Sequence, residues 1–196
     1  MLPYNSRIKI IKNLFSDRVN IAIKFASINN GSIVLDVGCN TGFVLEEIRN
    51  LNYFSEYYGI DTVDKFPTTV IEKSNFRVAD TRNLPFDNDY FDVVFAMDTL
   101  EHIKEYEVAI NEIWRVLKPD GIAVLSGPTE SLFYKFCRWL WIRTWSEASH
   151  ICTVYDLEKK FESKGFQLIS HESLPKWPVP ELFRICKFKK MPKDNN

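Results

Sequence analysis

Residues 33–42, Ile-Val-Leu-Asp-Val-Gly-Cys-Asn-Thr-Gly, have the types and spacing needed to hold a small molecule against backbone. Gly38 and Gly42 bracket a turn where the main chain can approach a ligand with no Cβ in the way. The apolar run Ile33, Val34, Leu35 and Val37 around Asp36 reads as a strand buried on both faces. Thr41 and the Gly-Phe-Val-Leu-Glu-Glu-Ile stretch after it open a helix whose first N–H groups face the same crevice. The unit is therefore strand, glycine loop and helix, the ligand cradle of an open α/β sheet. Its spacing is G-x-x-x-G, not the G-x-G-x-x-G of dinucleotide binders, and no Gly-Lys-Ser/Thr follows as in a P-loop.

In such a sheet, ligands lie outside the carboxyl ends of the strands, at the switch in strand order. Asp61 falls about 20 residues beyond the loop, where a carboxylate can accept both hydroxyls of a ribose. Its other reading is a solvated strand-end acid. Met97 and Asp98 end a later strand, and Met97 offers a soft thioether to a ligand or serves as core filler. His102, in Asp98-Thr99-Leu100-Glu101-His102, has neighbouring carboxylates that could tune it near neutrality. His150 follows the fifth predicted strand, and His171 sits in the sixth and is read as remote.

The elements that must position these residues follow from periodicity. Ser16-Asp17 offers an N-cap for a helix over Arg18 to Ile28, stopped by Asn29-Asn30-Gly31. Strands are predicted at Tyr57–Ile60, Phe76–Ala79, Phe91–Ala96 and Ile122–Leu125, with a helix over Ala109–Leu117 and a turn at Lys118-Pro119-Asp120-Gly121. A helix over Tyr155–Lys164, a strand over Phe166–Ser170 and a last strand over Leu182–Phe188 complete the chain. Strand and helix alternation implies a Rossmann-like, doubly wound, mostly parallel α/β sheet of about seven strands, with helices on both faces. The final pair lacks room for a crossover helix, so the last strand is expected to be antiparallel.

At 196 residues and 45% hydrophobic content, the chain fits one globular domain. Lys plus Arg is 25 against 26 acids, so nothing attracts a polyanion globally and a nucleic-acid partner is disfavoured. Cys39, Cys137, Cys152 and Cys186 have neither zinc-site spacing nor disulfide density, so no metal is predicted and the thiols suit a reducing compartment. With no signal sequence and no apolar run of about 18 residues, the expected location is cytoplasmic. Only Lys190 to Asn196 reads as a loose polar tail.

Val-Leu-Asp-Val-Gly-Cys-Asn-Thr-Gly resembles the first motif of class I S-adenosylmethionine-dependent methyltransferases of the small-molecule type. The resemblance runs from about Ile33 to Thr129. It continues through Gly59-Ile60-Asp61, Ala79-Asp80, Phe91-Asp92-Val93-Val94, Glu101-His102-Ile103 and Arg115-Val116-Leu117-Lys118-Pro119-Asp120-Gly121. It implies S-adenosylmethionine as cofactor, held by Asp36, Gly38, Cys39, Asn40, Gly42, Asp61, Thr62, Asp80, Thr81, Met97 and Asp98. Asp80 resembles the acid that accepts from the adenine amino group, and Asp36 the acid that orients the loop or meets the methionine amine through water. Pro67 departs from the family pattern by interrupting the helix usual after Asp61, which implies an irregular wall there. In many relatives Glu101-His102 looks structural, which weighs against His102 as a base. His150 lies where the family covers its acceptor, and the two histidines stand as the catalytic candidates. Amino-methylating relatives carry Asn/Asp-Pro-Pro-Tyr/Phe where this chain has Ala96-Met97-Asp98-Thr99, which disfavours a planar nitrogen target.

On this reading residues 1–31 are an N-terminal helical segment, 32–129 the cofactor core, 130–150 an acceptor-side insertion or lid, and 151–196 a C-terminal helix and strand pair. Three of the five tryptophans fall within Ser131 to Trp145, with Lys135, Arg138 and Arg143. Helical spacing puts Leu132, Phe136, Trp139 and Leu140 on one face, with Lys135 and Arg138 sharing another. The segment, in particular 132–145, could lie in a membrane interface, roof an acceptor pocket, or pack on the core or in a homodimer contact. The expected activity is methyl transfer to a small or lipid-linked acceptor, at oxygen or at carbon. The alternatives are an aminopropyl transferase on the same fold and a non-catalytic cofactor-binding partner subunit.

Overall fold

The computed structural model describes residues 9–51, 56–64, 75–141, 150–176 and 178–192. Among them are α1 (Lys9–Ala26), β1 (Ile33–Val37), α2 (Phe43–Asn50), β2 (Glu56–Asp61), β3 (Phe76–Val78), β4 (Phe91–Met97), α3 (Tyr106–Val116) and β5 (Leu117–Pro128). Then come α4 (Leu132–Trp141), α5 (Val154–Lys164), β6 (Phe166–Leu174) and β7 (Phe183–Lys190). The strands form one sheet in the order β3-β2-β1-β4-β5-β7-β6. β1 pairs in parallel with β2 and β4, β2 with β3, and β4 with β5. β7 runs antiparallel between β5 and β6. This is the expected doubly wound sheet, and its strand order reverses beside β1, where the glycine loop leaves.

The near-continuous apolar runs of β1 and β4 are explained by burial on both faces. On one face, Val19, Ala22, Ile23 and Ala26 of α1 and Val44, Leu45 and Ile48 of α2 cover Val34, Val93, Phe95 and Val124. On the other, Ala109, Ile110 and Ile113 of α3 and Leu157 and Phe161 of α5 cover Leu35, Val37, Val94 and Leu125. α5 starts at a capping box, in which Thr153 accepts from the Asp156 N–H and Asp156 accepts from Thr153, and it stops at left-handed Gly165.

The structure corrects four boundaries. α1 begins at Lys9, so Ser16 and Asp17 lie inside the helix and not at its cap. Leu14 and Phe15 extend its apolar stripe into the core, and that packing outweighs the local cap signal. Lys118–Gly121 is not a free turn but an irregularity within β5, with Asp120 left-handed at φ 63° and a register shift between Phe91 and Val93. β6 continues past Ser170 to Leu174, zipped along its length to β7. Lys190 is no loose tail: it ends β7, is buried, and its Nζ donates to Asp89 and to the carbonyls of Trp114 and Leu117. The irregular wall expected at Pro67 falls outside the described residues.

Candidate functional site

The glycine loop is tied to the end of the neighbouring strand β2. The N–H groups of Gly38 and Cys39 both donate to the Ile60 carbonyl, at 2.8 and 2.9 Å. One Asp61 carboxylate oxygen accepts from the Asn40 N–H at 2.9 Å, and the other from the Val63 N–H at 3.1 Å. Asp61 therefore shapes the loop as well as facing the crevice. Gly38 and Gly42 both sit at φ 72°, in the left-handed region, and Asn40 joins them at φ 48°. Gly42 precedes α2, whose N-terminus carries no side-chain cap, the kind of helix start that suits a ligand's anionic group. Gly38 serves a different end from the one its type suggests. A Cβ there would lie 2.3 Å from Thr99 Oγ1, so the close approach at Gly38 is to a side chain of this chain.

Asp36 is buried beneath the loop, and burial with the charge of Asp61 holds its carboxyl well above the usual range. Burial likewise pushes the Cys39 thiol far up, so Cys39 is a packing residue and no nucleophile. Thr62 is exposed just past β2, and Thr81 is buried past β3. Asp80 is held by Arg82, whose Nη2 lies 2.6 Å from one carboxylate oxygen and whose backbone N–H donates to the other. That guanidinium lowers the Asp80 pKa, and an adenine amine would have to share the carboxylate with it. Met97 is 9% exposed and belongs to the core on the α1 side. The core-filler reading of Met97 describes its surroundings.

Beyond the ends of β4 and β5 lies a polar cluster that the sequence hinted at only through its histidines. Asp98, left-handed at φ 52°, pairs with Arg18 of α1 and accepts from Ser126 Oγ at 3.1 Å. Arg18 is 1% exposed, donates to Ser126 Oγ at 2.7 Å, and lies over the Phe183 ring. The adjoining Leu100–His102 is a single 3-10 turn. His102 and His150 have ring centroids 5.0 Å apart. His150 Nδ1 lies 2.5 Å from Glu130 Oε1, and Tyr134 flanks the ring. Glu101 is buried with burial and Asp98 both driving its pKa up, and its carbonyl accepts from the Ile151 N–H. Arg18, Ser126 and Glu130 have no motif; only the fold brings residues so far apart in sequence to one place.

α4 borders this cluster. Its inner side, Phe133, Tyr134 and Cys137, joins Phe15, Leu182 and Phe183 in a small core of its own. Leu132, Phe136 and Trp139 are 87, 54 and 71% exposed, so the apolar face predicted from spacing is turned outward. The reading in which that face packs on the core is thereby corrected. Residues 142–149, which hold the rest of the tryptophan-rich segment, lie outside the described residues. Among the described residues, no helix is long and apolar enough to cross a membrane.

A sequence model of the family described as "Methyltransferase domain" matches residues 35–125. The chain is 28% identical over 165 residues to 2-methyl-6-phytyl-1,4-hydroquinone methyltransferase 1, chloroplastic, of Oryza sativa subsp. japonica, covering 76% of this chain and 46% of that protein. It is 33% identical over 121 residues to demethylmenaquinone methyltransferase of Staphylococcus carnosus, covering 57% of this chain and 50% of that protein. The chain thus spans about half the length of these relatives. Among solved structures, a chain from the complex of the Haloferax volcanii Trm112 methyltransferase activator superposes with a TM-score of 0.76 at 16% identity, over 96% of this chain and 94% of that one. The N-methyltransferase NodS of Bradyrhizobium japonicum, in complex with S-adenosyl-L-homocysteine, does so with 0.69 at 13%, over 89% of this chain and 86% of that one. The motif-bearing residues lie inside the span that the methyltransferase-domain model matches, and the sheet order that accompanies them is the doubly wound fold that the solved structures share.

Proposed function

We propose that the protein moves a methyl group from S-adenosylmethionine to a small or lipid-linked acceptor, at oxygen or at a carbon made nucleophilic by loss of an acidic O–H proton. When bound, the cofactor supplies an electrophilic methyl on a sulfonium leaving group. The loop from Gly38 to Gly42 fits it: an uncapped helix start suits a carboxylate, and Asp61 at the end of β2 has lone pairs left for ribose hydroxyls. Asp36 beneath the loop holds its shape. What the chain must add is alignment, exclusion of water and removal of a proton.

The observation that carries this reading is the His150–Glu130 pair, on the same carboxyl edge of the parallel strands as the glycine loop. With Nδ1–H donated to the carboxylate, Nε2 keeps its lone pair and acts as the base. Thr99 links the two halves of the site, since it touches Gly38 and lies three residues before His102. The quinone and hydroquinone names of the relatives support an acceptor with an acidic hydroxyl and a long apolar tail. The outward face of α4, with exposed Lys135 beside it, supports contact with a lipid surface or a greasy acceptor.

The test is calorimetry with S-adenosylmethionine and its demethylated product, followed by a methyl-release assay on lipid and metabolite extracts. His150→Gln is expected to leave cofactor affinity unchanged and to lower kcat by about 100-fold or more, the usual weight of a positioned base. Full turnover by that variant would remove His150 from the chemistry.

A further inference from the structure

Glu101, His102 and His150 each place one donor atom within 4.8 Å of the other two. We propose that these three side chains hold a divalent transition-metal ion of the Zn2+ type, with Glu130 fixing His150 from behind. Two imidazoles and one carboxylate make the three-ligand set that binds zinc while leaving a position open. Ligands about 2.1 Å from an ion stand about 3.4 Å apart in a tetrahedral array. Each donor therefore moves inward by less than about 1 Å, within reach of side-chain rotation at exposed His102 and half-buried His150.

Three further observations point to a cation. Glu101 is 1% exposed, yet its Oε2 has no hydrogen-bond partner among the described residues. A buried carboxylate oxygen left so is costly, and an ion would satisfy it. The charges facing Glu101 are also unbalanced. The carboxylates of Asp98 and Glu130 act on it, opposed by the single guanidinium of Arg18 and by one backbone N–H, its own. Finally, the 2.5 Å contact between Glu130 and His150 Nδ1 is the arrangement that orients a metal-binding histidine through its other nitrogen. The ligands come from the turn after β4 and from a residue 48 positions later, so no short spacing betrays the set.

An ion here would occupy His150 Nε2, the nitrogen that serves as base in the metal-free protein. It would offer its open position to an acceptor oxygen, lowering that oxygen's pKa in the base's place. That role rests on the proposed function; the binding itself does not. The test uses the full chain, stripped with a chelator, dialysed and titrated with Zn2+ by calorimetry and with Co2+ by visible absorption. One equivalent is expected, with the Co2+ spectrum of a nitrogen and oxygen set and no thiolate charge-transfer band. His102→Ala, at an exposed position and with its fold checked by circular dichroism, should weaken binding at least 100-fold. Glu130→Gln should weaken it by about 10–100-fold. Absence of saturable binding, equal affinity in the folded His102→Ala variant, or a thiolate band from the four cysteines would each overturn the proposal. S-adenosylmethionine affinity measured on the same stripped protein reports separately on the methyl-transfer reading.

Discussion

At Gly38 two constraints coincide: a left-handed backbone at φ 72°, and the Thr99 side chain occupying the space a Cβ would need. Gly38→Ala is expected to cost about 1–2 kcal/mol for the backbone conformation alone, with more from the clash. Denaturant melts of Gly38→Ala, Thr99→Gly and the double variant separate the two as a cycle, because Thr99→Gly alone reports the loss of its hydrogen bonds to the Val37 and Met97 carbonyls. An unchanged midpoint in Gly38→Ala would show that the loop yields freely. Asp36 invites a pH test. Its pKa is raised in the folded state, so between the ordinary carboxylate pKa, about 4, and its folded value the native protein holds the extra proton. Stability must therefore fall as pH rises through that window. Asp36→Asn should be more stable than the parent at pH 8, and the gap should close as pH falls toward 4. Buried Glu101, raised in the same direction, leaves a residual slope in the variant. A parent whose stability rises from pH 5 to 8 would contradict this picture of Asp36. The residues of the loop were readable because glycine spacing is a local signal. What fills the space beside Gly38 was not, because Thr99 arrives from another strand.

Among the elements, α4 shows most plainly what periodicity can and cannot decide. The spacing of Leu132, Phe136 and Trp139 correctly assigns them to one face, but says nothing about which way that face turns. The direction is settled by Phe133, Tyr134 and Cys137, which find partners on Phe15, Leu182 and Phe183. If the outward face meets lipid, Trp139 fluorescence should shift with anionic vesicles. Lys135→Gln with Arg138→Gln should weaken the association by about 1 kcal/mol per residue and make it less sensitive to salt. No binding at any salt concentration would leave the face to a soluble acceptor or a second protein chain. α1 gives the converse lesson. Ser16-Asp17 is a sound cap signal on its own, yet the helix runs through it, because Leu14 and Phe15 gain more from burial than the cap offers.

For the molecule as a whole, the mostly parallel sheet followed from alternation of strand and helix, whereas its strand order and the join between the glycine loop and the histidine cluster did not. That join is Arg18. It comes from the helix before β1 and reaches Asp98 at the end of β4 and Ser126, 108 residues away, on β5. Its guanidinium also lies 4.0 Å from the centroid of the Phe183 ring on β7 and 4.9 Å from that of Phe15. One buried cation thus ties α1 to three strands and fixes the left-handed turn between the glycine loop and the histidine cluster. Removing one partner of a buried pair costs about 3–5 kcal/mol. Asp98 is 27% exposed, which places Arg18→Ala at the lower end. For a chain of this size that corresponds to a fall in Tm of about 6–12 °C. Arg18→Met keeps contact with the two rings while losing the charge, so it should lie between parent and Arg18→Ala. Adding Asp98→Asn to Arg18→Met should restore part of the loss, since no unpaired carboxylate then remains. Both single variants should weaken S-adenosylmethionine binding, because Thr99 moves with Asp98 and Gly38 rests on Thr99. A Tm and a cofactor affinity both equal to the parent's in Arg18→Ala would show that α1 docks by its apolar stripe alone, and that the site is built without it.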